Sequence, residues 1–116
     1  MKTQLTKEQS KHLIELGIDE NKATYSDNVY DWSINDYPRY FTLTDLLEIL
    51  PKEIFDEDLY SQNYLVLEIT NTRLWHVGYA HEISYEGYCF LIGRFADELI
   101  DTLYELVCWC LENKYL

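Results

Sequence analysis

The sequence predicts an α+β fold: a small antiparallel sheet of about three strands packed against a long C-terminal helix, with two shorter helices in the N-terminal half. Three observations carry that prediction. Residues 65–79 alternate apolar and polar side chains, residues 94–114 repeat with a helical period, and threonines stand before apolar runs at positions 6 and 42. A chain of 116 residues has room for one core and not for two, and no repeat, low-complexity tract or linker divides it. A single domain over residues 1–116 is therefore expected.

Thr6-Lys7-Glu8-Gln9 reads as a capping box, with Leu13, Ile14 and Leu16 as an apolar stripe and Gly17 as the left-handed stop, so the first helix should run over residues 6–16. Residues 19–28 are rich in Asp, Asn, Ser and Thr and read as loop. In residues 29–34, Tyr30, Trp32 and Ile34 share one face opposite Asp31 and Ser33, the pattern of a half-buried strand that Pro38 closes off. Thr42 and Thr44 precede Leu46, Leu47, Ile49 and Leu50, with Asp45 in the first turn, which gives a second helix of about two turns. Pro51 interrupts it, with residues 52–55 able to resume, and Asp56-Glu57-Asp58 follows as a solvated loop.

Leu65, Leu67 and Ile69 alternate with Val66, Glu68 and Thr70, then Trp75, Val77 and Tyr79 alternate with His76 and Gly78. The short polar connector Asn71-Thr72-Arg73 makes the two runs a hairpin. A third strand falls at residues 83–85 or 88–91. With Phe95 at the origin and about 100° per residue, Phe95, Ala96, Leu99, Ile100, Leu103, Leu106, Val107, Cys110 and Leu111 share an arc of about 160°. That arc is the expected core face of a helix over residues 94–114.

Hydrophobic residues at 47% and charged residues at 26% are an ordinary globular balance, while the aromatic share of 16%, with eleven Tyr and three Trp, favours sheets and interfaces. The formal charge is −12, and residues 53–116 carry twelve carboxylates against three cations. A surface of that sign repels phosphate backbones, so direct nucleic-acid binding is not expected. The three cysteines, Cys89, Cys108 and Cys110, lack the spacing of a disulfide framework and read as free thiols of a cytoplasmic protein. No apolar run has the length of a signal peptide or of a membrane span, so neither secretion nor membrane insertion is expected.

No established catalytic or phosphate-binding motif is present, and no cofactor or metal is expected. Cys108 and Cys110 stand about 200° apart on a helix and cannot clasp one ion. His76, His81 and Cys89 would support a small hydrolase or transferase only if they converged in one pocket. The aromatic cluster of residues 25–41 offers Arg39 alone as a cation against three Asp, too little for a base-stacking groove.

The last helix poses the sharper question. Glu98, Glu105 and Glu112 recur at sevenfold spacing on its polar half, with Asp97 and Asp101 beside them and Trp109 among them. Like charges three or four residues apart repel, and an indole stranded among carboxylates calls for a cover. The cover is either the N-terminal helix with Lys7 and Lys11, or another chain. In the second case Trp109, Glu98, Asp101, Glu105 and Glu112 form a partner-binding face that implies self-association or a basic protein partner.

Taken in order, the capped helix ending in Leu13-Ile14-Glu15-Leu16-Gly17-Ile18-Asp19, the aromatic and acidic segment, Phe41-Thr42-Leu43-Thr44-Asp45-Leu46-Leu47, the strand Trp75-His76-Val77-Gly78-Tyr79 and the acidic last helix resemble small uncharacterised proteins of phages, prophages and mobile elements of gut bacteria. The resemblance covers most of the chain and implies a phage-associated origin, with no assigned activity and no catalytic residues; those proteins carry more basic residues. The expected function is that of a non-enzymatic acidic accessory protein acting through protein contacts. The alternative is a nucleic-acid-mimicking decoy that occupies a basic site on a host protein.

Overall fold

A computed structural model describes residues 2–25, 32, 39–83 and 87–116. The fold is α+β: helix α1 (Lys7–Glu15), a 3-10 turn (Glu20–Lys22), short strands β1 (Thr24–Tyr25) and β2 (Arg39–Tyr40), helix α2 (Leu43–Ile49), strands β3 (Glu53–Asp56), β4 (Ser61–Ile69), β5 (Trp75–Glu82) and β6 (Tyr88–Ala96), and helix α3 (Leu99–Glu112).

Local chemistry sets both N-terminal helices. Thr6 Oγ1 accepts from the Gln9 N–H and Gln9 Oε1 accepts from the Thr6 N–H, each at 3.1 Å. Gly17, at φ +117°, lets the Ile18 N–H reach back to the Leu13 carbonyl and ends the helix. At α2, Thr42 and Asp45 exchange the same pair of bonds, at 2.9 and 3.2 Å. Leu50 is extended (ψ 131°) because Pro51 crowds a helical conformation at the preceding residue. The chain does not resume a helix there: Glu53–Asp56 is a strand, and Asp56, expected in a solvated loop, is its buried last residue.

The sheet is larger than expected from the sequence, with four antiparallel strands in the order β3-β4-β5-β6, and β1 and β2 form a separate two-stranded ribbon. The strand expected over residues 29–34 and its stop at Pro38 lie outside the described residues, apart from the exposed Trp32. The β4–β5 hairpin forms as the alternation predicts, with Leu67 opposite Val77 and Glu68 opposite His76. Strand β6 reaches Ala96 and thereby takes Arg94, Phe95 and Ala96 out of the expected last helix. α3 begins only at Leu99, with Glu98 as its N-cap residue in extended conformation.

α3 lies against β5, β6 and α2. Leu103, Leu106, Val107 and Cys110 are fully buried, and they join Val77 and Tyr79 from the sheet, Leu46 from α2 and Leu50 just after it in one core. Tyr79 ties the layers together: its hydroxyl donates to the Pro51 carbonyl at 2.8 Å and accepts a 3.8 Å contact from the Cys110 thiol. No helix among the described residues is long and apolar enough to cross a membrane.

Candidate functional site

The alternation that buries Val77 and Tyr79 beneath α3 turns the intervening residues to the opposite face of the sheet. Cross-strand register assembles that outer face in rows. Glu53 stands opposite Tyr64, Tyr64 opposite Ala80 and Ala80 opposite Phe90. Val66, Gly78 and Gly93 make the next row, and Glu68, His76 and Phe95 the one after. Glu82 and Tyr88 pair at the far end, and Phe55 on β3 meets Tyr60 edge-on at 5.3 Å.

Among the described residues, the helix packed on the sheet lies on its other side, and these rings are exposed. Phe95 is 57% exposed, Tyr88 56% and Tyr64 53%. Phe55 and Tyr60 are exposed as well. An uncovered group of five large rings on one sheet face exceeds the scattered apolar residues of an ordinary surface.

At the centre the His76 ring lies flat on Phe95, with centroids 4.1 Å apart and planes 4° apart, and Phe90 closes its other edge at 4.1 Å. Its Nδ1 sits 2.7 Å from Glu68 Oε1. The ring rests over Gly93, where a Cβ atom would come within 2.5 Å of His76 Nε2. At Gly78 a Cβ atom would come within 1.9 Å of the Ile92 carbonyl oxygen. Two glycines facing each other thus form the floor of the platform. Its charged rim is acidic, from Glu53, Glu68 and Glu82, all exposed. Among the described residues no Lys or Arg occupies an outward position on the four strands, and Arg94 turns to the helix side, where its Nε lies 3.7 Å from Glu105 Oε2.

The face expected on the last helix is arranged differently. Glu98 lies before the helix and accepts from the Lys2 backbone N–H at 3.0 Å. Asp101 pairs with Lys2 Nζ at 3.2 Å and Glu105 with Arg94, so the sevenfold acidic stripe is split and partly compensated from within the chain. Glu112 lines a shallow groove with Arg94, Tyr104, Glu105, Cys108 and Trp109. Trp109 is half-buried rather than stranded. It stacks on Tyr115 at 5.4 Å and 22°, and Tyr79 lies 6.3 Å away on its core side. The chain's own C-terminus thus covers part of it, while α1 meets α3 elsewhere, at Tyr104 through His12.

Of the residues considered for catalysis, His76 lies on the outer face. His81 lies on the helix side, opposite Cys89 on β6 and with Nδ1 3.0 Å from Asn63 Oδ1. The three do not converge. Burial pushes the Cys110 thiol up to about 11 and raises Cys108 as well, which keeps both protonated and weakly nucleophilic at neutral pH. Burial, with Cys108 alongside, lifts the Tyr104 phenol to about 12. Burial also raises Tyr79, with the Cys110 sulfur adding to it. Among the described residues no group of three or more His, Cys, Asp or Glu could hold a metal ion.

No family model matches the chain, and comparison with curated proteins and with solved structures finds no match.

Sequence reasoning missed the outer face for a specific reason. Its rings come from four strands, and of its residues only Val66, Glu68, His76 and Gly78 stood in the alternating runs; Tyr64 lay just before them, and Phe95, its most exposed phenylalanine, fell into the helical count.

Proposed function

We propose that the protein is a non-enzymatic, acidic accessory protein that works through protein contacts, and that the open face of the four-stranded sheet makes them. The observation that carries this reading is the set of exposed rings Tyr64, Tyr88 and Phe95, with the His76 ring held between Phe95 and Phe90. Large rings left in water cost free energy unless they are covered part of the time, and their cover adds about 25 cal/mol for each Å² of apolar surface removed from water. The sign of the molecule and the acidic rim turn nucleic acid away from this face, which leaves protein as the partner class. A phage or mobile-element origin is part of the same proposal and rests on the resemblance alone.

Site-specific photo-cross-linking in the cells that make the protein tests the reading. A benzophenone side chain at position 64 or 95 should yield protein adducts, and the same group at the exposed Glu15 on α1 or at Trp109 should not. Equal yields from position 15, or adducts from position 109 alone, would overturn it; the latter result would return the contact to α3.

A further inference from the structure

The rim and the rings together specify the chemistry of what covers them. Three candidate occupants differ in sign: a second copy of this chain, a neutral apolar surface, and a basic segment. A second copy laid face to face would bring Glu53, Glu68 and Glu82 against the same three carboxylates, with no outward Lys or Arg among the described residues to answer them. A neutral apolar surface would cover the rings but strip water from Glu53 and Glu82 without giving them a partner, and Glu68 would keep only His76, a cost that unpaired charges do not recover.

A guanidinium or ammonium group answers both features. It satisfies a carboxylate and rests on a ring face, and the two kinds of group alternate across this sheet: Glu53 beside Tyr64, Glu82 beside Tyr88, and Glu68 two strands from Phe95 with His76 between. Adjacent rows lie within the reach of one long cationic side chain. The net charge of −12 draws such a segment in from a distance.

On the reading of this face as a docking surface, we infer that its partner is an arginine-rich protein segment lying across the four strands, with guanidinium groups stacked on Tyr64, Tyr88 and Phe95 and paired to Glu53, Glu68 and Glu82. Arginine is favoured over lysine because its planar cation stacks on a ring while its edge still donates to a carboxylate. The acidic rim is thereby a selection device, admitting cationic side chains to rings that would otherwise accept any apolar surface.

Calorimetric titration with octa-arginine and octa-lysine peptides tests the inference on the full chain. Octa-arginine should bind several-fold more tightly than octa-lysine, and both should weaken as salt rises from about 0.05 to about 0.15 M. Changing Tyr64→Leu and Phe95→Leu keeps apolar bulk at both positions and removes two ring faces. It should cost octa-arginine about five- to tenfold in affinity, at the strength of two exposed cation–ring contacts, and erase its advantage over octa-lysine. Glu68→Gln with Glu82→Gln should weaken both peptides and flatten the salt dependence, whereas Glu8→Gln with Glu15→Gln on α1, which removes equal charge, should change binding less than about twofold. Circular dichroism of each variant keeps a folding defect separate from a binding one. The inference is overturned if the two peptides bind alike and the leucine variant matches wild type, or if the α1 variant loses as much as the rim variant. In that event, adducts from positions 64 and 95 in the cross-linking experiment would preserve the docking surface and remove only its basic partner; their absence would remove both.

Discussion

At Gly78 a single added methyl group decides whether two strands can stay paired. Its nearest neighbour is the Ile92 backbone carbonyl, which cannot move without parting β5 from β6. Gly78→Ala should therefore destabilise the fold by about 3 kcal/mol, at the upper end of overpacking costs, read from urea denaturation. Gly93→Ala should cost only about 1 kcal/mol, because the atom it displaces is the far end of the His76 side chain rather than backbone. The two variants should differ in the near-ultraviolet spectrum, where Gly93→Ala alone breaks the Phe90-His76-Phe95 stack while the fold survives. At the other end of the chain, Lys114 holds φ +61° at the position after the α3 cap, while the Tyr115 N–H reaches back to the Cys110 carbonyl at 2.8 Å. Glycine adopts that conformation without strain, so Lys114→Gly should raise stability by about 0.5–1 kcal/mol in the same measurement.

The elements differ in how far their boundaries can be read from local sequence. Both N-terminal helices begin at capping boxes whose partners lie three residues apart, so Thr6 with Gln9 and Thr42 with Asp45 are visible without any tertiary information. The β4–β5 hairpin is legible because its alternation runs unbroken. Strand β6 is not: Tyr79 pairs with Ile92 but Ala80 pairs with Phe90, and the extra residue, Leu91, shifts the phase of the alternation halfway along. Phe95 then stands four residues before Leu99 and falls into the helical period by coincidence of spacing, which hides the strand and lengthens the helix on paper. That one phase error placed a surface ring on the expected core face of the helix and hid the outer face of the sheet. Trp109 now belongs to the packing of α3 against its own C-terminus. Trp109→Ala should cost about 2 kcal/mol through the lost stack on Tyr115 and the partial burial of the indole. It should leave the molecular mass in solution unchanged, as light scattering would show.

Across the whole molecule, the titratable groups of the core set a limit on the alkaline side. In the folded state Cys110 is held at about 11 against an ordinary 9.0, and Tyr104 at about 12 against 10.0. Folding thus favours their neutral forms. The stability they contribute is complete below about pH 9 and is lost as the pH rises through about 11 to 12. Thermal melting should show a falling Tm over that window, and Cys110→Ala should remove part of the fall. In the folded protein a disulfide reagent at neutral pH should label the exposed Cys89 first, with Cys108 and Cys110 reacting fully only after denaturation.

The proposed contact face rests on an asymmetry of the sheet: α3 packs over β5 and β6 on one side, and the other side carries rings and carboxylates toward solvent. Hydroxyl-radical footprinting of the purified protein against the same protein in an extract of its own cells tests this claim most directly. Tyr64, Tyr88 and Phe95 should oxidise readily in isolation and become protected in the extract, with Trp109 unchanged. Protection confined to Trp109 and Tyr115, with the sheet rings oxidised equally in both samples, would contradict the account.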